Sequence, residues 1–198
     1  PGAREALVIG DQIARRSALE RTSGYAKLML NRGRIEVTES RIADARRDIE
    51  QSLRLFGETV GPGTVEVAEG LAGLAQIFIW IDDYVLAEQT VRAAINIFDK
   101  TVSPMYPDRV SAEKYLAEAL YLQDRLDEAA SLLVDAVHKT TAVFGHNSAE
   151  VADVLDRLAI VKYAQHHYDE AQRYPRTKAP TATVTSRWRM SQQHWQGP

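Results

Sequence analysis

The feature that most constrains this chain is an alanine that recurs every 42 residues. Ala45, Ala87 and Ala129 form the centre of the series, and Ala3 and Ala171 continue it at the two ends. Except after the last alanine, a large aliphatic residue follows four positions later and a glycine, serine or alanine seven positions later. These steps place all three positions on one helical stripe. Small side chains let helices approach closely and the large one fills the groove between them, so the stripe predicts repeated helix–helix packing.

A second series marks the partner helix of each pair. Leu-Ala recurs at residues 74, 116 and 158, and a polar turn separates each from the next alanine stripe. Segments that contain Gly, Pro, Asn or Ser follow each pair and break the helical pattern. No alternation typical of strands occurs. The sequence therefore predicts an all-α fold, an α-solenoid of stacked antiparallel helix pairs. The helices are expected near residues 3–20, 24–39, 41–58, 65–81, 84–101, 108–123, 126–143, 149–165 and 168–174.

The apolar positions of the second complete pair resemble the signature of tetratricopeptide repeats. They are Leu74, Ala75, Phe78, Tyr84, Ala87, Val91 and Ala94. The common repeat of this family has about 34 residues, whereas the repeat here has 42. The added length, together with FGHNSAEVADVLDRLA and YDEAQ, is similar to repeats of the kinesin-light-chain type. The resemblance covers about residues 3–174 and implies a right-handed superhelix whose concave face binds other proteins.

The repeat divides the chain into an array and a tail. We predict a partial repeat at 1–20, repeats at 24–64, 65–107 and 108–148, and a second partial repeat at 149–174. Pro175 stands where the last helix would be mid-course, and proline ends a helix there. The irregular tail 175–198 has three open interpretations: a disordered segment, a segment docked on the last helix pair or a neighbouring chain, and a nucleic-acid arm. Because neither end resembles a polar cap, self-association through the ends is also expected.

Composition limits the class of protein. The chain has no cysteine, which excludes disulfides and thiolate metal sites and fits a cytoplasmic location. No apolar run approaches about 20 residues, so no membrane contact is expected. Residues 58–173 carry 19 acidic and 9 basic side chains, a balance that disfavours nucleic acid as a partner.

Motifs for chemistry are missing from the sequence. GETVGPG lacks the Lys-Ser/Thr of a phosphate loop. The pair His166-His167 and the pair Asp82-Asp83 occupy repeat turns, where we interpret the carboxylates as helix caps and the histidines as surface residues. We therefore predict a protein that is not an enzyme, with no catalytic residue, no metal and no cofactor.

The remaining candidate is the concave groove that the family resemblance implies. Its expected lining comes from the first helix of each pair, and the tentative peptide-binding residues are Lys27, Arg34, Gln76, Trp80, Lys114, Glu118, Tyr121, Asp156 and Tyr163. The rings of Trp80, Tyr121 and Tyr163 have two interpretations: a ladder that contacts the partner, or packing that seals the helix pairs. The Lys and Asn set that clamps C-terminal carboxylates in this family is not present, so a chaperone tail is not the expected partner.

Two functions follow from these observations. The first is a scaffold that binds another protein or a peptide segment in the groove. Basic Lys27 and Arg34 near one end, with Asp153 and Asp156 near the other, would then set the partner's direction. The alternative is a regulatory or oligomerisation segment of a larger multidomain enzyme or signalling protein.

Overall fold

A computed structural model describes residues 2–167, which form eight helices. Ala171, the helix expected at 168–174 and the tail 175–198 lie outside the described residues. The helices are α1 (Ala3–Arg16), α2 (Ser23–Thr38), α3 (Ile42–Thr59), α4 (Val65–Trp80), α5 (Tyr84–Thr101), α6 (Pro107–Leu122), α7 (Leu126–Phe144) and α8 (Ala149–Ala164).

The helices form two layers. The antiparallel pairs are α2 with α3, α4 with α5, and α6 with α7. Each even-numbered helix also contacts the next even-numbered helix, so α2, α4, α6 and α8 make a continuous inner layer. The odd-numbered helices α3, α5 and α7 lie outside, each against the inner helix before it and the one after it. The described chain is therefore an all-α solenoid of stacked helix pairs, as predicted.

The repeating stripe packs as its pattern predicts in three of the outer helices. Ala45, Ala87 and Ala129 are completely buried, and so are the aliphatic residues four positions later and the small residues seven positions later. Ala3 is exposed, because no described helix precedes α1. The stripe on α3, α5 and α7 thus fixes the distance between each outer helix and its inner neighbours.

The turn inside each pair has one conformation throughout. Ser40, Asp82, Asp124 and His166 all have left-handed backbone angles, with φ between 60° and 64°. The next residue donates its backbone N–H to a carbonyl five positions earlier, as from Arg41 to Glu36 at 2.9 Å. This arrangement satisfies the last carbonyls of the inner helix. His166 is therefore a turn residue of the repeat.

Capping side chains mark the starts of two helices. Asp83 Oδ1 accepts a hydrogen bond from the Leu86 backbone N–H at 3.2 Å, so this carboxylate is a cap. Ser148 caps α8 in the same way through the Val151 backbone N–H.

One prediction was wrong: the first helix ends at Arg16 rather than near residue 20. Ala18 adopts φ 54°, and the Leu19 N–H returns to the Ala14 carbonyl, which ends the helix.

Helices α2 and α3 approach each other closely at Gly33. A Cβ at this position would lie 2.6 Å from Ile49 Cγ1 and 3.1 Å from the Ala45 carbonyl oxygen. In the next helix pair, Ala75 stands at the position of Gly33 and Val91 at the position of Ile49. We expect Gly33→Ala to lower the free energy of unfolding by about 1–3 kcal/mol through overpacking, measured by urea denaturation.

Two further variants test this explanation. Gly57 is also helical, but a Cβ there would meet nothing within 4 Å, so Gly57→Ala should raise stability by up to about 1 kcal/mol. Ile49→Val added to Gly33→Ala recreates the pair found in the next repeat and should recover much of the loss. A Gly33→Ala protein as stable as the wild type would contradict the close packing.

Candidate protein-binding surface

Ion pairs connect the inner helices to one another. Lys27 of α2 pairs with Glu69 of α4, and Lys114 of α6 pairs with Asp153 of α8 at 3.0 Å. A third pair joins Arg34 of α2 to Asp108 of α6, so it spans two repeats and passes over α4. Such a contact requires the inner layer to curve toward itself. These side chains therefore lie along the concave side of the solenoid.

The first of these pairs belongs to a small hydrogen-bonded group. Glu69 is buried, and its Oε1 accepts a hydrogen bond from the Tyr106 hydroxyl at 3.0 Å. Burial and this hydrogen bond raise the pKa of Tyr106 to about 12. Glu69 therefore has two partners, the Tyr106 hydroxyl and the Lys27 ammonium.

A buried ion pair joins α6 to α8. Glu118 is 1% exposed, and its Oε2 lies 2.5 Å from Arg157 Nη1. Burial raises the pKa of Glu118 despite the opposing charge of Arg157. Burial would also raise the pKa of Asp153, but the charges of Arg157 and Lys114 outweigh it and hold that pKa below its usual value. The two carboxyls and two cations form one network beneath the surface.

The nine sequence-predicted groove residues separate into two groups. Lys27 and Arg34 are each about two-fifths exposed, and Gln76, Trp80, Lys114 and Tyr163 are partly exposed. Glu118, Tyr121 and Asp156 are buried. They offer a partner almost no surface, because the inner helices contact one another where the pattern places these three side chains. The accessible part of the predicted set is therefore the first group.

The aromatic ladder does not form one continuous surface. Tyr121 is part of the core cluster of α4 to α8, whereas Trp80 packs against the core cluster of α2 to α4. The Trp80 Nε1 atom is buried, and no hydrogen-bond acceptor for it occurs within residues 2–167. For Tyr121 the placement favours the interpretation that the ring seals helix pairs.

The charges predicted to orient a partner along the groove also form ion pairs within the chain. Lys27 and Arg34 lie beside Glu69 and Asp108, and Asp153 lies between Lys114 and Arg157. Each end is therefore neutralised by pairing within the chain. The cations of the α2 pairs are more exposed than their carboxylate partners, Glu69 and Asp108.

Three residues of this surface were not recognised in the sequence: Arg157, Tyr106 and Tyr115. Tyr115 is partly exposed on α6, and burial raises its pKa. The sequence spacing of the paired charges is a signal from which these contacts can be predicted. Lys27 and Glu69 are separated by one repeat of 42 residues. The pairs Lys114–Asp153 and Glu118–Arg157 are each separated by 39 residues. Opposite charges at these spacings indicate pairing between consecutive inner helices.

Residues 2–167 contain no group of three or more His, Asp or Glu side chains placed to hold a metal ion. None of the eight helices combines the length and the apolar character that crossing a membrane requires.

Comparisons with known proteins agree with this architecture. Residues 108–174 match the family model of the tetratricopeptide repeat. A curated relative, the clustered mitochondria protein homolog of Homo sapiens, is 24% identical over 142 residues, which are 72% of this chain and 11% of the relative. The chain thus spans about a ninth of that protein's length.

Solved structures show the same fold at low identity. Tetratricopeptide-like repeats of a Podosopora anserina kinesin light chain superpose with a TM-score of 0.65 and 18% identity, covering 86% of this chain and 82% of theirs. BtubC (BKLC) of P. vanneervenii gives 0.65 and 17%, covering 87% of this chain and 66% of its own. A Rap protein in complex with competence and sporulation factor gives 0.65 and 19%, covering 75% of this chain and 40% of its own.

The buried pair predicts a large difference between two carboxylate substitutions. We expect Glu118→Gln to lower the free energy of unfolding by about 3 kcal/mol, because Arg157 keeps its charge in a buried place after losing its counter-ion. Glu50, paired with Arg46 on the exposed face of α3, is the control, and Glu50→Gln should cost about 0.5 kcal/mol or less. Equal midpoints in urea for the two variants would show that the α6–α8 network does not stabilise the fold.

Proposed function

We propose that this chain, which is a tetratricopeptide repeat protein, is an interaction scaffold whose concave surface holds a segment of another protein. The observation that carries the proposal is the pairing of two half-exposed cations on α2 with less exposed carboxylates of later inner helices, the buried Glu69 and the partly exposed Asp108. Lys27 and Arg34 reach into the groove, whereas Glu69 is buried beneath Lys27. A partner's carboxylate can therefore contact either cation while the carboxylate that pairs with that cation inside the chain stays in place.

The groove also offers neutral contacts between these charges. Gln76 of α4 lies partly exposed on the helix that Arg34 crosses on its way to Asp108. Its amide can donate to, and accept from, the backbone of an extended segment. Together with Lys27 and Arg34, it makes a polar surface that suits a peptide with spaced acidic side chains.

The solved neighbours support an interaction role without defining this chain's partner. The Rap protein was solved with competence and sporulation factor bound to it. That contact belongs to the Rap protein, and the fold is what the two chains share. The identity of this chain's partner and a cytoplasmic location stay predictions.

A selection experiment tests the groove. Peptides of about 12 random residues, displayed on phage, are selected on the immobilised protein, and the affinity of a selected peptide is measured by fluorescence polarisation. We expect the double variant Lys27→Gln/Arg34→Gln to bind at least tenfold more weakly, a loss of about 1.4 kcal/mol. Glu69 keeps its hydrogen bond from Tyr106 in this variant but loses its buried counter-ion, so urea denaturation is used to show that the variant is folded at the assay temperature.

The matched control removes one lysine and one arginine from the outer layer. Arg92 and Lys100 are both exposed on α5, and Arg92→Gln/Lys100→Gln should leave the affinity within about twofold. Equal weakening by the two double variants would show that net charge, and not the groove, determines binding. Failure to select any peptide would count against a peptide-binding surface.

A second candidate function is self-association, and α1 carries the observation that favours it. Ile9 and Ile13, four residues apart on one face of the helix, are 49% and 55% exposed. Large apolar side chains that are exposed together are typical of interaction surfaces. This face can bury apolar area against a second copy of the chain.

Light scattering at several protein concentrations separates the two candidates. If α1 mediates self-association, the apparent mass of the wild type rises with concentration, and that of Ile9→Lys/Ile13→Lys stays at the monomer value. Val85 and Val134 are exposed on α5 and α7, so Val85→Lys/Val134→Lys is the control and should behave as the wild type. A concentration-independent monomer mass for the wild type would remove this candidate.

A further inference from the structure

A cleft of about 430 Å³ opens on the outer side of the first repeat. It lies between α1 and α3, and α2 forms its floor. None of the nine residues of the proposed groove lines it. Its volume falls within the range of pockets that hold small molecules, about 300–1,000 Å³.

The charged floor of this cleft departs from the repeat. Arg32, Glu36 and Asp48 line the cleft, and all three positions have equivalents 42 and 84 residues later. The second repeat has Leu74, Phe78 and Thr90 there, and the third has Leu116, Leu120 and Leu132. The same backbone therefore accepts a fully apolar set in the third repeat and an uncharged set in the second, whereas the first repeat has three charges.

The charged set is not explained by folding alone. Arg32 pairs with Asp48, and Arg41 Nη1 lies 3.1 Å from Glu36 Oε1. The other oxygen of Glu36 is buried without a hydrogen-bond partner in the described residues, which costs stability. A well-packed apolar set in place of buried ion pairs is often neutral or stabilising. A residue pattern that breaks the repeat without a gain in stability indicates a functional constraint.

The rim of the cleft is rich in arginine. Arg4 and Arg15 of α1 and Arg47 of α3 are each more than half exposed. Their partners lie at the edge: Arg4 to Glu39 at 3.7 Å, Arg15 to Asp11 at 2.8 Å, and Arg47 to Asp44 at 2.7 Å. Exposed pairs of this kind contribute about 0–1 kcal/mol and exchange readily for a stronger anion.

The charge of the lining favours an anion. Five arginines, at positions 4, 15, 32, 41 and 47, line the cleft together with the carboxylates of Glu36 and Asp48. Three further carboxylates pair with these arginines from the edge: Asp11, Glu39 and Asp44. The guanidinium fork matches the oxygens of a phosphate in a bidentate geometry and cannot lose its charge. Arginines from α1, α3 and the α2–α3 turn therefore line one cleft.

We propose that this cleft binds a small phosphate-bearing molecule. The rim arginines Arg4 and Arg47 contact the phosphate from opposite walls, and Arg41 reaches it from the turn between α2 and α3. Arg41 is held by Glu36 of the floor and by Glu39 and Asp44 at the edge, and Arg32 is held by Asp48 and Asp11. The site is independent of the groove on the inner layer.

Isothermal titration of the full chain with inorganic pyrophosphate, at about 50 mM salt to limit screening, tests the proposal. We expect binding by the wild type and a loss of at least tenfold in affinity for Arg4→Gln/Arg47→Gln, whose exposed side chains are not needed for folding. The control Arg16→Gln/Arg54→Gln removes one exposed arginine from each of the same two helices, neither of which lines the cleft, and should change affinity less than twofold.

A triple variant tests the floor separately. Arg32→Leu/Glu36→Leu/Asp48→Leu installs the residues of the third repeat, so it should keep its helical circular-dichroism signal and lose pyrophosphate affinity. No binding by the wild type, or equal weakening by the two arginine double variants, would overturn the proposal. Citrate that binds as tightly as pyrophosphate would overturn the phosphate assignment, and a phosphoserine peptide that binds more tightly would overturn the small-molecule assignment.

Discussion

The close approach of inner and outer helices at the small–large–small stripe is the contact on which the rest of this structure depends. Ala45, Ile49 and Ser52 are completely buried on α3. The inner-helix residues that lie beside Ile49 are small, so two inner helices can approach it from opposite sides. Since each outer helix touches two inner helices, the same stripe determines both the hairpin and the stacking of hairpins. The curvature of the inner layer follows from this spacing.

How much of the molecule the sequence predicts depends on which interactions repeat. The inner and outer helices recur in a 42-residue register, and within residues 2–167 the predicted boundaries from α2 to α8 fall close to those of the structure. The end of α1 was missed because Ala18 adopts a left-handed conformation that the local residues do not signal. The groove was predicted less well, since a contact such as Arg34 to Asp108 joins residues 74 positions apart and depends on curvature. Periodicity carries no information about that distance.

Curvature and recognition are linked through the inner ion pairs. The Lys27–Glu69 and Lys114–Asp153 pairs each connect consecutive inner helices, and they lie where a partner in the proposed groove would contact the chain. A bound carboxylate that competes for Lys27 would weaken a connection between α2 and α4, whereas the buried Glu118–Arg157 pair would be unaffected. The groove near α2 is therefore expected to adapt more readily than the part formed by α6 and α8.

A repeat array supplies its own comparison for each residue, because equivalent positions share a backbone and differ only in side chain. Buried charge in the first repeat can be judged against leucine at the same place in the third, and the difference cannot be attributed to the fold. The same reasoning separates Gly33, which the adjacent Ile49 requires, from Arg32, which pairs with Asp11 and Asp48 at a position where the later repeats have leucine. A departure that relieves a steric conflict is structural, and a departure that adds buried charge where leucine packs is the stronger indication of a ligand.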